Sequence, residues 1–339
     1  MANESPAGTR APTTGPARVE AGFAARARAI VGHAVRRRES AIFLALVVIL
    51  VVTAIIAPNS ISTSNLFMVS RQISFVAVIA LGELFVILHG GIDLSVGSVM
   101  ALAGMTAGYF MQLGVPPVLA VVLGTLAGMM MGAINGFLVA YARLAPFIVT
   151  LGMLSFSSGV VLGLSKGWPI TKIPASFLPV AQGAVFGVPI PVWITLVLAV
   201  VAHIGLTHTA FGRRTYAMGG NEQATFLSGI NVARIKFTLY VISAACASLV
   251  GIILISRFNS ARADTGTGWE LDAIAAAVIG GTSLSGGAGS VPGVLIGACI
   301  MGVITNGLQL MQVSSYWQKA IIGVIIVLAA LLDRTKRKD

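Results

Sequence analysis

Apolar residues along this chain gather into ten runs separated by short polar breaks that carry Gly or Pro. The runs are 41–57, 66–89, 94–113, 116–141, 146–165, 190–207, 236–256, 270–285, 291–311 and 315–333, the eighth being short. Most approach the roughly 20 residues an α-helix needs to cross a ~30 Å hydrocarbon core. The pattern predicts an all-α, polytopic helical membrane protein with about ten transmembrane helices. One stretch breaks it. Residues 211–232, FGRRTYAMGGNEQATFLSGINV, form a polar island between two apolar runs. Within it the spacing predicts a short helix from Asn221 to Ile230. Asn221 is a favoured N-cap, and Gly229 has the backbone freedom to end the helix. Ala224, Leu227 and Ser228 recur at i, i+3 and i+4, so they share one face. A compact helix on the basic side of a membrane protein suits the docking of a partner.

Composition agrees with the pattern. Hydrophobic residues are 56% of the 339, charged residues only 10%, and 39 are Gly; mean hydropathy is +0.93. The net charge of +11 would suggest nucleic acid in a soluble protein. Here the basic residues sit in the tails and a few loops with no aromatic interleaving, so the positive-inside rule explains them better. With the N-terminus inside and spans alternating, sixteen Lys and Arg fall on the cytoplasmic side. Six fall outside: Arg71, Lys166, Lys172, Arg257, Arg262 and Lys319. This predicts N-in and C-in, and puts the island in the cytoplasm.

The expected organisation is a basic cytoplasmic tail (1–40), a transmembrane domain (41–333) containing the island, and a short basic C-terminal tail (334–339). Residues 1–20 have a disordered composition. Residues 21–39 read either as a basic surface helix or as a solvated tail that fixes topology. The outward loop 166–190 carries four prolines. It reads as a stiff extended platform for a soluble partner, or as a connector with a short interfacial helix.

Chemistry is sparse. The phosphate-loop pattern G-x-x-x-x-G-K-[ST] is missing, and His33, His89, His203 and His208 lack zinc-ligand spacing. Cys246 and Cys299 lie in apolar runs and read as small packing hydrophobes. No catalytic constellation stands out. Ionisable groups at membrane depth are costly and therefore informative. Glu83, Asp93, Glu270 and Asp272, with Ser95, Gly280 and Gly281, are the candidates for a translocation path or gate. The structural alternatives are an N-cap for Asp93, an N-cap for Asp272 ahead of a helix at 273–279, and a helix-to-helix hydrogen bond for Glu83. Gly-Gly-Ile-Asp-Leu-Ser at 90–95 echoes Gly-Gly-Thr-Ser-Leu-Ser at 280–285, a hint of an internal repeat.

Three motifs in order, GGIDLSVGSVMALAG (90–104), GRRTYAMGGNEQATFLSGINVARIK (212–236) and GTGWELDAIAAAVIGGTSLSGGAGSVPGVLIGA (266–298), resemble the ribose-type sugar permeases of bacterial ABC importers. The resemblance runs from about residue 41 to the C-terminus. It implies a type II importer-like fold and a homodimer in the plasma membrane. It also implies a cytoplasmic ATPase pair that binds ATP in place of this chain, an extracytoplasmic sugar-binding protein and a monosaccharide substrate. By similarity, Gly219, Gly220, Asn221, Glu222, Ala224, Thr225, Ser228, Gly229 and Ile230 match the loop that touches the ATPase, and Leu227 joins them through its shared face. Two features depart from the family pattern: a basic N-terminal extension of about 40 residues, and Trp269 where Tyr is expected. An ion-coupled secondary carrier using Glu83, Asp93 or Asp272 is the rival from another class. Importers of nucleosides, polyols or autoinducers share the same general scaffold.

Overall fold

The computed structural model describes residues 38–335. The basic tail at 1–37 and residues 336–339 lie outside the described residues, and with them nearly all of the surface helix expected at 21–39. Thirteen α-helices occur in the described part: α1 (Arg38–Ile56), α2 (Thr63–Leu88), α3 (Val96–Gln112), α4 (Pro117–Ala140), α5 (Pro146–Ser165), α6 (Pro179–Gln182), α7 (Ile190–His208), α8 (Ala210–Gly220), α9 (Glu222–Leu227), α10 (Val232–Phe258), α11 (Trp269–Ile279), α12 (Val291–Leu310) and α13 (Ser315–Thr335). A small hairpin pairs β1 (Ala184–Val185) with β2 (Val188–Pro189). Seven helices are long and apolar enough to cross a membrane: α1, α2, α4, α5, α7, α10 and α12.

Local chemistry sets the helix boundaries. Proline occupies the first turn of α4, α5, α7 and α12, where its missing N–H costs nothing. Side-chain oxygens cap α2, α10 and α12: Ser62 accepts from the Asn65 N–H, Asn231 from Arg234 and Ser290 from Gly293. Lys166 and Asn259 end α5 and α10 in the left-handed conformation.

α2 is the central rod, buried continuously from Ser74 to Leu88. α10 packs against α2, α3 and α4, and α12 against α2 and α11. The outer helices expose apolar side chains, among them Phe43, Leu126, Phe156 and Val201, as lipid contact demands. Lipid tails are as apolar as Leu, so helices in a bilayer associate through close packing of small residues. The α4–α10 seam shows this. Gly124, Gly128, Gly132 and Gly136 recur every fourth residue along α4. A side chain at Gly132 would meet the Tyr240 carbonyl at 2.6 Å, and one at Gly136 the Phe237 carbonyl at 2.8 Å. Cys246 packs in the same manner, its Cβ 3.0 Å from the start of any side chain at Gly82, and both cysteines are free.

The loops gather at two ends. At the island end, the Gly287 N–H donates to the Leu88 carbonyl (2.9 Å) and the Tyr216 hydroxyl to the Gly289 carbonyl (2.8 Å). At the far end, Asn65 and Asn306 exchange two amide hydrogen bonds of 3.0 Å between α2 and α12, and Ile170 bridges Ala261.

Several expectations need correction. The eighth apolar segment is not one continuous helix. α11 has 11 residues, about 16 Å at 1.5 Å each, half of a ~30 Å core. It stops at Gly280, and Gly281 turns the chain with φ +89°. α11 also starts at Trp269 and not at 273, so Asp272 lies inside its first turn and the cap position belongs to Gly268. Asp93 is likewise not the cap of α3; that position is Ser95. The loop 166–190 is folded back, not extended. It buries Phe177 and Ala181, and the Ala181 N–H donates to Ser256 Oγ at 2.8 Å. Its short helix α6 and small hairpin follow the connector alternative.

Candidate functional site

The island folds into two consecutive short helices. Thr209 caps α8, accepting from the Gly212 N–H at 3.2 Å. Asn221 ends α8 and caps α9: its Oδ1 accepts from the Ala224 N–H at 2.9 Å, as its residue type predicts. α9 stops at Leu227, and Gly229 follows with φ +79°. Thr225 is buried, its hydroxyl donating to the Asn221 carbonyl at 2.8 Å. Ala224, Leu227 and Ser228 are exposed, so the face expected to dock is open. Beside them Phe226 is 67% and Leu227 77% exposed. Phe226 was missed in the sequence reading, although an aromatic inside a polar, Gly-bounded segment was a usable signal.

Two adjacent glycines there differ. A side chain at Gly219 would collide with the Leu88 carbonyl and the Gly287 N–H, whereas nothing lies within 4 Å of the same position at Gly220. Gly219 therefore seats α8 directly on the ends of α2 and of the 280–290 turn. Gly286 completes the junction: a side chain on it would meet Gly90 N, Gly219 O and Leu88 O at 2.9–3.0 Å. The two echoing motifs at 90–95 and 280–285 thus run into one contact, under the island. Glu222 anchors α9 from another side, accepting from Lys236 Nζ at 2.7 and 2.8 Å. A cleft of about 1090 Å³ opens here, lined by His89, Arg143, Glu222, Phe226, Ile230 and Lys236 among others.

Beneath this surface lies a buried polar centre. Glu83 and Asp93 are both buried. The Asp93 N–H donates to Glu83 Oε1 at 3.0 Å. Asp93 Oδ1 accepts from the Ser95 N–H (3.0 Å) and the Ser95 hydroxyl (2.6 Å), and Oδ2 from the Ser243 hydroxyl (3.1 Å). Asn135 Nδ2 donates to Ser95 Oγ at 2.9 Å. Asp93 therefore orders the turn that opens α3 and ties it to α4 and α10, a wider role than a cap. Tyr240 packs edge-on against His89, with ring centroids 5.5 Å apart. Lys236, Tyr240 and Ser243 stand at i, i+4 and i+7 on α10, so one helix face runs from the docking helix down to Asp93. Asn135 and Ser243, both polar but not ionisable, were not singled out in the sequence, where only ionisable groups at membrane depth were searched; extending that search to polar residues inside apolar runs is the signal that finds them.

The remaining candidates lie elsewhere. Glu270 sits at the start of α11, its carboxylate over Gly97 in the first turn of α3, where a side chain would not fit. Asp272 is one residue pair further along the same helix. Gly280 packs against the Gly293 carbonyl, joining α11 to α12, and Gly281 makes the turn.

The family model described as "Branched-chain amino acid transport system / permease component" matches residues 65–330. The ribose import permease protein RbsC of Bacillus subtilis is 44% identical over 297 residues, covering 87% of this chain and 92% of its own. RbsC of Escherichia coli K12 is 44% identical over 303 residues, covering 88% and 94%. The D-allose transport system permease protein AlsC of the same strain is 39% identical over 294 residues, covering 86% and 90%. No solved structure matches the chain. Apolar spans around a polar centre and matches along nearly the whole length lead to one conclusion: this chain belongs to that family of transport-system permease components and is a multi-pass plasma-membrane protein.

Proposed function

We propose that this chain is the transmembrane permease subunit of an ATP-driven importer for a monosaccharide, ribose or a similar sugar. The observation that carries the reading is 44% identity to ribose import permeases over 87% of the chain, a span that includes the exposed island. In this reading two copies form a homodimer with a type II importer-like fold. A cytoplasmic ATPase pair docks on residues 219–230, with Gly219, Gly220, Asn221, Glu222, Ala224, Thr225, Leu227, Ser228, Gly229 and Ile230 at or beside the contact. A sugar-binding protein delivers substrate at the far end. The orientation is N-in and C-in, with 1–40 and 334–339 as cytoplasmic tails of the 41–333 domain. Ten passes result when α3, α13 and the 259–279 segment, in which the descending turn supplies the depth that the half-length α11 lacks, join the seven apolar spans. The chain does no catalysis of its own.

The geometry suits this division of labour. A partner that moves α9 moves Glu222, and with it Lys236 at the start of α10. It also moves α8, which rests through Gly219 on the ends of α2 and the 280–290 turn. Motion at the docking surface thus reaches both sides of the turn that holds Asp93 and Ser95 and leans on Glu83 of α2. Glu270, Asp272, Gly280 and Gly281 line the second half of the proposed path. The ion-coupled alternative has less support, because the carboxylates of Asp93 and Glu83 accept structural hydrogen bonds. The test is uptake of D-ribose into vesicles reconstituted with this chain and its ATPase and binding-protein partners. Uptake should require ATP and persist when proton and sodium gradients are collapsed. Gradient-driven uptake by this chain alone overturns the reading.

A further inference from the structure

The turn from Asn259 to Gly268 descends from the far end into the bundle. Ala261 pairs with Ile170, while Gly266 reaches down to Gly97 and Met100 in the first turns of α3. Its backbone is held at every second step: the Thr265 N–H donates to the Arg262 carbonyl (3.3 Å), Thr267 to Asp264 (3.2 Å) and Trp269 to Gly266 (3.0 Å). Gly266 and Gly268, at φ +87° and +89°, supply the left-handed backbone this path needs. Between the turn and the end of α10 lies a pocket of about 220 Å³, lined by Phe258, Arg262, Asp264, Thr265, Gly266 and Trp269.

The chemistry of the lining is mixed in a specific way. Trp269 stands 6.5 Å from Phe75, ring to ring, and the Arg257 guanidinium lies 5.4 Å over Phe75 and 5.8 Å over Phe258. Phe258 and Trp269 therefore give the lining aromatic carbon, and both are packed from behind, Trp269 against Phe75 and Phe258 against the Arg257 guanidinium. The lining also carries a forked ion pair: Arg262 Nε and Nη2 each donate to Asp264 at 3.0 Å. That hydrogen bond keeps the Asp264 carboxyl below its ordinary range. The pair is exposed, so both partners retain free donor and acceptor sites. An aromatic side chain and adjacent donors and acceptors in one pocket lining match a sugar ring, which offers an apolar C–H face and hydroxyls that both donate and accept. The residue after Trp269 is Glu270, so the floor of the pocket adjoins the proposed path.

We propose that this pocket is a subsite for a monosaccharide, with Trp269 as its stacking platform and Asp264 and Arg262 as its hydroxyl partners. The inference rests on the importer reading above, which turns the far end outward. It places the first sugar contact of the permease on the 259–269 turn.

Saturation-transfer NMR on the purified full-length permease, without binding protein and with D-ribose as probe, tests it. Wild type should show saturable transfer to the ring C–H protons. Trp269→Ala should abolish it, and Asp264→Asn should weaken binding about tenfold by removing one charge-assisted hydrogen bond. Trp168→Ala, at another exposed tryptophan of the far end, should change nothing. Asp264→Asn lies on an exposed turn, so matching elution and thermal unfolding should confirm that this variant is folded. Absence of saturable transfer in wild type, or transfer unchanged in both site variants, overturns the subsite. ATP-driven ribose uptake with silent spectra defeats the subsite and leaves the importer reading standing. Variant-sensitive binding with uptake that ignores ATP does the reverse.

Discussion

The α4–α10 seam and the docking island both depend on glycine, and use it in opposite ways. Along α4 four glycines at every fourth position are pressed onto α10 and α3, Gly124, Gly132 and Gly136 against backbone carbonyls and Gly128 against the side chains of Ser248 and Val99. At Gly124 a side chain would meet the Ala103 carbonyl at 2.6 Å. In the island, Gly220 and Gly229 have open space around them, and Gly229 turns the chain. The seam is a joint with no slack. The island is a surface with slack, where side chains can be changed without disturbing the fold. Gly219 belongs to the first kind although its neighbour Gly220 belongs to the second. The boundary between rigid body and docking surface therefore runs between two adjacent residues.

The largest expected effect lies at the seam. Gly132→Leu forces a side chain against Ala244 and the Tyr240 carbonyl. Overpacking of this kind costs roughly 1–3 kcal/mol in tolerant cores, and more where the obstacle is backbone. Folded yield in detergent should collapse. A variant that elutes and melts like wild type would show that the seam has slack after all.

Gly219→Ala against Gly220→Ala sharpens the boundary. The first collides with the Leu88 carbonyl and should lower the melting temperature. The second meets nothing and sits at the end of a helix, where Ala is favoured by up to about 1 kcal/mol. Equal effects in thermal unfolding would erase the distinction.

In the buried centre between the two regions, Asp93→Leu strands the Ser95 N–H and the Ser95 and Ser243 hydroxyls. Each buried unsatisfied group costs about 1–3 kcal/mol. Asp93→Asn keeps an acceptor for Ser95 and should retain most transport. Loss of transport by a folded, abundant Asn variant would mean that the charge itself is used.

The smallest effect on stability is expected in the island. Ala224→Arg and Ser228→Arg are at exposed positions, and should change unfolding by no more than about 0.5 kcal/mol. They should nonetheless weaken ATPase recruitment and sugar-stimulated ATP hydrolysis, because a bulky unpaired charge would be buried in the contact. Normal recruitment by both would return the island to the status of a solvated connector.

Some of this was readable in advance. Prolines and Asn or Ser caps marked most helix starts because those signals act within a few residues. Asn221 as cap and Gly229 as stop followed from residue type alone. The glycine period on α4 was also legible but was overlooked. The break in the eighth segment was legible in part: a short helix ending ahead of Gly280 and Gly281 was expected, and its start was misplaced at 273 instead of Trp269, because Asp272 reads equally well as a cap and as an acidic residue of the first turn.

The sequence by itself determined the class of protein, most helix ends and the polar island, since periodicity, capping and hydropathy are local. It also carried the family, through motifs kept in order. Only the tertiary structure decided which polar residues meet. Asp93 finds Ser243 across 150 positions, and Gly90, Gly219 and Gly286 converge from three separate segments. Such contacts depend on how helices cross and how closely they approach. In a membrane that is set by the fit of small residues along whole faces, which no short window of sequence contains.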